Sequence, residues 1–145
     1  MKAIWLIAPL LLGATTFSQE QQAVTLAATD YIDAFYFGDI SKLTRSVSLA
    51  VFKYDYYRVK NKTSYEGEPM TFQEMISYAL SAQKKNNRSV AEKYIKEVQL
   101  LNVQSQTTSS KVKAWWGTDY LLLAKINDRR MITHVLWQSY PNDNK

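Results

Sequence analysis

Along the first third of the chain, apolar side chains recur with a helical period. Val24, Ala27, Ala28, Tyr31 and Phe35 fall at i, i+3, i+4, i+7 and i+11, one stripe of an amphipathic helix. Gly38 stands where a left-handed C-terminal cap is wanted, and Asp39 can cap a short second helix with Ile40, Leu43 and Val47 on one face. From Val51 to Val59 the chain is rich in aromatic strand formers, and alternation fails at Tyr56-Tyr57, which predicts a bulge or a strand end there. Lys60 to Pro69 reads as a polar loop. Thr71 and Glu74 form a capping box with Met70 and Met75 as its staple, so a third helix follows, burying Phe72, Ile76, Ala79 and Leu80. From about Ile95 the period changes from 3.6 to 2, which predicts strands near 95–103, 109–116, 119–126 and 129–139. Helices followed by a run of strands predict an α+β domain.

Turn chemistry sets a register for the last three strands. Gly117-Thr118, with glycine first, suits a two-residue hairpin that puts Trp116 opposite Asp119 and Val112 opposite Leu123. Asn127-Asp128 tolerates positive φ and sets Leu123 opposite Ile132, Leu121 opposite His134, and Asp119 opposite Leu136. Val112, Ala114, Trp116, Asp119, Leu121, Leu123, Ile132, His134 and Leu136 then share an inner face. The outer face carries Lys111, Lys113, Trp115, Tyr120, Leu122, Ala124, Ile126, Met131, Thr133, Val135 and Trp137. It is apolar enough either to meet a second copy of the chain, through Trp115, Tyr120, Leu122 and Trp137, or to be covered by the tyrosine-rich strand. A slip of one residue would exchange the two faces.

Composition changes this picture at the N-terminus. Lys2, the apolar run Ala3–Leu12 and the small residues from Gly13 to Ser18 have the order of a secretory signal, and the run is too short to span a bilayer. Residues 1–18 are therefore expected to be a signal peptide, with a mature start near Gln19, periplasmic or extracellular localisation and no stable membrane insertion after cleavage. The absence of cysteine excludes a lipoprotein anchor and a disulfide framework. Residues 19–145 suit a single domain able to bury its own core. Without Lys2 the charges are 17 basic to 13 acidic, a mild and scattered excess. Lys84-Lys85-Asn86-Asn87-Arg88, with Lys93 and Lys96, reads as a solvated loop, because no base-stacking motif accompanies it to suggest nucleic acid.

Two segments carry a family resemblance. Ala28-Thr29-Asp30-Tyr31-Ile32-Asp33-Ala34-Phe35-Tyr36-Phe37-Gly38-Asp39 resembles the opening helix of the putative lumazine-binding family, and Trp116-Gly117-Thr118-Asp119-Tyr120-Leu121-Leu122-Leu123-Ala124-Lys125-Ile126 resembles its signature hairpin. The family belongs to the nuclear transport factor 2-like superfamily, with the SnoaL-like and ketosteroid-isomerase domains, and the resemblance covers about Val24 to Trp137. It implies a curved, mainly antiparallel mixed sheet wrapped around a long helix, with a pocket at the open end. The family name implies lumazine binding. Two departures stand out: Val47-Ser48-Leu49 replaces a His-Pro-Asp segment, and Asp128 and Arg130 replace a glycine turn followed by an inward tryptophan.

For chemistry, the register makes Asp119 and His134 diagonal neighbours roughly 7 Å apart at the backbone. A carboxylate beside an imidazole can do acid–base work, or simply satisfy buried polar groups. Tyr31 could donate to a ligand oxygen or be a core tyrosine with its hydroxyl at the rim. Asp55 could point inward as a base, but between Tyr54 and Tyr56 it reads as an exposed strand residue. The expected pocket comprises Tyr31, Phe35, Trp116, Asp119, Leu121, Ile132 and His134. One histidine, no cysteine, no acidic calcium loop and no glycine-rich phosphate loop give no metal and no cofactor to expect. The sequence supports an exported, non-catalytic domain that binds a small apolar or planar ligand or assembles as a homodimer. The alternative is a small isomerase, cyclase or dehydratase using Asp119, His134 and Tyr31.

Overall fold

The stripe predicted for the first helix is the one that the fold buries. In the computed structural model, which describes residues 11–85 and 93–141, α1 spans Leu11–Phe37, and Val24, Ala28, Tyr31 and Ile32 are at most 1 % exposed. Burying a side chain such as Val24 or Ile32 contributes about 1.5–3 kcal/mol. Residues 11–18 of the expected signal peptide continue α1, and residues 1–10 lie outside the described residues. Gly38 ends the helix in the left-handed region at φ 67°. Asp39 then accepts hydrogen bonds from the Ser41 and Lys42 backbone N–H groups and starts α2, Ile40–Ser46. Val47 is not on α2; it is the buried first residue of β1, Val47–Arg58. The irregularity in β1 lies between Val47 and Phe52 rather than at Tyr56-Tyr57.

The segment expected to be a polar loop holds a strand. β2, Tyr65–Met70, runs antiparallel to β1 with Lys53 opposite Met70 and Asp55 opposite Glu68. Its Tyr-Glu-Gly-Glu-Pro-Met sequence lacks the alternation of a half-buried strand. It forms at the sheet edge, where pairing on one side suffices and proline is tolerated. α3, Phe72–Lys85, begins on the predicted capping box: the Thr71 backbone N–H donates to Glu74 Oε2 at 2.7 Å and the Glu74 N–H to Thr71 Oγ1 at 3.3 Å. Met75 and Ala79 are fully buried, whereas Leu80, expected inside, is 39 % exposed. It sits about 100° around the helix from Ala79 and so leaves the buried line. Of the basic stretch, Lys84 and Lys85 end α3, Asn86 to Arg88 lie outside the described residues, and Lys96 is not free in solvent but bonds Asp33 at 2.8 Å.

β3 (Glu97–Val103), β4 (Thr107–Ala114), β5 (Gly117–Ile126) and β6 (Arg129–Ser139) complete one six-stranded sheet in the order β2-β1-β6-β5-β4-β3. Among the described residues, β1 and β6 are the one parallel pair. The helices lie on one face of this mixed, open sheet, with α1 against β3, β4 and β6. The architecture is α+β, as the element order predicts.

Both hairpin registers need correction. The first turn is Trp115-Trp116, with Ala114 opposite Gly117 and Val112 opposite Asp119. The turn lies two residues earlier than expected and each pairing partner moves by four, which preserves facing, so Val112, Ala114, Asp119, Leu121 and Leu123 do point inward and are buried. Trp116 belongs to the turn, not to β4. Glycine is required at 117 by a close approach: its φ is 149°, and a Cβ would lie 2.1 Å from the Gln138 carbonyl oxygen. Asn127 and Asp128, at φ 49° and 59°, make the second turn as expected, and Leu123 meets Ile132. Beyond that point Leu122 meets His134, leaving Thr133 as the extra residue of a bulge. Alternation reverses there. Val135 and Trp137 turn inward, while His134 and Leu136 turn outward.

Candidate functional site

Near the C-terminal end of α1, helix and sheet part to leave a cavity of about 280 Å³. α1 supplies Tyr31 and Phe35, one turn apart. Alternate residues of β1 supply Lys53, Asp55 and Tyr57, and their neighbours on β2 add Glu68 and Met70. Tyr78 of α3, Trp116 of the first turn, Asp119 of β5 and Trp137 of β6 close the circle. The wall is mostly aromatic. Phe35 packs edge-on against Tyr31, Tyr78 and Trp116, with ring centroids 5.1, 5.9 and 5.9 Å apart.

Asp119 forms a fully buried floor. Its Oδ1 accepts the Tyr31 hydroxyl at 2.8 Å and its Oδ2 accepts the Trp116 indole N–H at 3.0 Å. Burial pushes the carboxyl above the ordinary aspartate range, against the pull of Lys53 and the two donors, while Asp55 pushes the same way as burial. Burial and then the neighbouring Asp119 charge raise the Tyr31 hydroxyl well above its usual value, so it remains a donor.

On the adjacent wall, the Lys53 ammonium is ion-paired to Asp55 Oδ1, with the two residues only 6 % and 5 % exposed. Lys53 also lies 5.6 Å from the centroid of the Trp137 ring. Burial raises the Asp55 carboxyl, and Lys53 opposes it. Among the described residues, Asp55 is the one hydrogen-bond partner of the Lys53 ammonium, and Asp55 Oδ2 has none. This wall therefore offers a donor and an acceptor side by side.

Four of the expected pocket residues, Tyr31, Phe35, Trp116 and Asp119, do meet here. Leu121 and Ile132 are fully buried in the core and do not line the cavity. His134 is on the opposite face of the sheet, its ring centroid 6.3 Å from that of Phe52 and its Nδ1 3.1 Å from Thr133 Oγ1. The expected Asp119–His134 pair is thus not assembled; the bulge puts Trp137 opposite Asp119 instead. Trp137, expected on the outer face, lines the cavity, and Asp55 points inward rather than to solvent. The signal for Lys53, Asp55 and Tyr57 was their period of two through a strand of outward Phe52, Tyr54 and Tyr56. Two charges at the inner positions disguised it. Among the described residues no group of three or more His, Cys, Asp or Glu side chains is placed to hold a metal ion, and no helix is long and apolar enough to cross a membrane.

The inward cation expected at position 130 is fully accommodated at the other end of α1. Arg130 donates to Glu20 Oε2 through Nε and Nη2 at 2.8 and 2.5 Å, to the Gln104 and Ser105 carbonyls at 2.7 and 3.0 Å, and to Thr108 Oγ1 at 3.3 Å. Lys125 reaches Glu20 Oε1 at 2.9 Å. Hydrogen bonds from Lys125 and Arg130 hold the Glu20 carboxyl below its usual range.

Comparison with known proteins agrees with this architecture. A family described as putative lumazine-binding matches residues 19–138. Among solved structures, an NTF-2 like protein of unknown function from Silicibacter pomeroyi superposes with a TM-score of 0.65 at 15 % identity, covering 86 % of this chain and 98 % of that one. An NTF2-like protein of unknown function from Shewanella baltica gives 0.63 at 12 %, covering 87 % and 98 %. A domain of unknown function with a cystatin-like fold from Nostoc punctiforme gives 0.58 at 14 %, covering 85 % and 78 %. The fold is nuclear transport factor 2-like. The comparison with curated proteins found no match.

Proposed function

The chain belongs to the putative lumazine-binding family, and on that premise we propose that its cavity binds a small, planar, largely apolar molecule. The observation that carries this is the aromatic wall of Tyr31, Phe35, Tyr78, Trp116 and Trp137 around a buried polar floor. A volume of about 280 Å³ lies just below the usual range of ligand sites, about 300 to 1,000 Å³, and so suits no more than one or two fused rings. Support for binding rather than turnover comes from Asp119 and His134. Both oxygens of Asp119 already hold structural donors, and the imidazole is across the sheet. Titration with lumazine, followed by tryptophan emission, tests the proposal: Trp116 and Trp137 make saturable quenching the expected result, unchanged in His134→Ala. Absence of saturation up to the solubility limit would refute it, and loss of binding in His134→Ala would return the imidazole to the site.

The same proposal has the domain exported, with residues 1–18 removed; the family match beginning at residue 19 supports that boundary. Edman sequencing of protein from the periplasm or medium should begin near Gln19, and intact protein held in the cytoplasm would contradict it. It also includes a homodimer through the outer sheet face, where Phe52, Tyr120, Leu122 and Leu136 are each at least half exposed. Trp115 remains at the rim of that face, while Trp137 leaves it. Sedimentation should show a dimer that Leu122→Arg converts to monomer; a monomeric parent protein would dispose of the idea.

A further inference from the structure

We propose that the Lys53–Asp55 pair reads a lactam or imide edge on the ring that enters the cavity, the ammonium donating to a ring carbonyl and the carboxylate accepting the adjacent ring N–H. The inference deepens the binding proposal above and rests on it. Its basis is the division of labour among the polar groups of the cavity.

Asp119 is committed, since Tyr31 and Trp116 take one oxygen each and the residue is fully buried. The Tyr31 hydroxyl is likewise spent on Asp119. Glu68 stands opposite Asp55 across the β1–β2 pairing, but it is an exposed residue of the edge strand. The Tyr57 hydroxyl donates to Glu66, Tyr78 is half exposed, and the Trp137 indole N–H, buried without a partner among the described residues, lies against Gly117. The buried charged groups left in the cavity wall are Lys53 and Asp55. Their mutual bond occupies one of three ammonium protons and one of two carboxylate oxygens. What remains is two ammonium protons and one carboxylate oxygen on neighbouring groups, in residues that are only 6 % and 5 % exposed.

A buried group with unfilled hydrogen-bonding capacity favours a ligand that fills it. A cis-amide edge, N–H beside C=O, gives each group one further partner and adds no net charge to an ion pair that is already neutral. A carboxylate or phosphate could use Lys53 but would face Asp55 and Glu68 together. A bare aromatic hydrocarbon would cover the pair without replacing its lost hydration, which costs affinity. The pairing of β1 with β6 carries the geometry: Lys53 lies beside Val135 and Asp55 beside Trp137 in register, so a ring against the Trp137 side of the cavity has its edge toward this pair.

The test uses three bicyclic probes on the intact protein, read by tryptophan emission and by calorimetry. Quinazoline-2,4-dione presents the edge, its 1,3-dimethyl derivative has both N–H groups blocked, and unsubstituted quinazoline has the rings alone. The dione should bind at least about tenfold more tightly than either of the others, the difference expected for hydrogen bonds to charged groups. In Lys53→Met/Asp55→Leu, which exchanges a buried ion pair for apolar groups of similar size and should fold, the three affinities should converge. Equal binding of all three probes by the parent protein would overturn the edge assignment and leave the cavity proposal standing. No binding of any probe would overturn both. A preference that survives the double substitution in a protein with a normal melting transition would move the recognition to other residues.

Discussion

Replacing Tyr31 by phenylalanine removes one oxygen from the molecule's interior and tests how its buried carboxylate is held. The hydroxyl donates to Asp119 Oδ1 over 2.8 Å, and the two residues are 1 % and 0 % exposed. A hydrogen bond to a charged group is worth about 1.5–3 kcal/mol, and Trp116 alone would remain as a donor to Asp119. With an unfolding entropy of about 2.1 cal/mol/K per residue over roughly 120 residues, each kcal/mol moves the melting temperature by about 4 °C, so Tyr31→Phe should melt about 6–12 °C lower. Urea unfolding should show a lower midpoint at an unchanged slope. The effect has a pH signature. Burial raises the folded pKa of Asp119 above its unfolded value, so the ionisation penalty is absent in acid and grows as pH rises through the raised value. Loss of the hydroxyl raises that value further. The deficit of Tyr31→Phe should thus be largest at neutral pH and shrink on acidification. A variant within 0.5 kcal/mol of the parent (on the order of surface substitutions), or one whose deficit grows in acid, would refute the buried-carboxylate reasoning.

Two further outcomes follow from residues outside the cavity. Gly117→Ala places a Cβ 2.1 Å from the Gln138 carbonyl oxygen at a φ of 149°; it should lose at least about 3 kcal/mol, seen as a collapse in soluble yield or urea midpoint, and a protein of unchanged stability would contradict the β5–β6 contact. Glu20→Ala removes the carboxylate from an Arg130 side chain that is 2 % exposed and should cost about 1–3 kcal/mol. Because Lys125 and Arg130 hold Glu20 below its usual range, its contribution is present above the ordinary glutamate pKa and lost as pH falls through the lowered folded value. Parent and variant should therefore converge in acid, and a pH-independent difference would count against the ion pair.

The helices were legible because their signals are local. The stripe of α1, Gly38 as a stop, Asp39 as a cap and the Thr71–Glu74 box each depend on residues within one or two turns. The four strands after Ile95 were also legible, and so was the facing of β4 and β5, since an error of two residues in a turn leaves alternation intact. Three features were not. β2 has no apolar pattern because an edge strand needs little more than a partner's backbone. The Lys53–Asp55 wall looked like solvent chemistry, since nothing local says that β1 sits between β2 and β6 with its odd residues inward. Thr133 cost the most. A single bulge reversed His134, Val135, Leu136 and Trp137, exchanging an imagined acid–base pair for a tryptophan wall. No residue at 133 demands a bulge. It follows from how β6 must lie between β1 and β5, which is a property of the assembled sheet.

The measurement that bears most directly on the central claim is a crystal structure of the protein soaked in quinazoline-2,4-dione. The account predicts a flat molecule inside the cavity against Trp137, one carbonyl facing Lys53 Nζ and the neighbouring N–H facing Asp55. Side chains from the protein's own wall filling that space, or a ring bound on the outer face beside Phe52 and His134 instead, would contradict it.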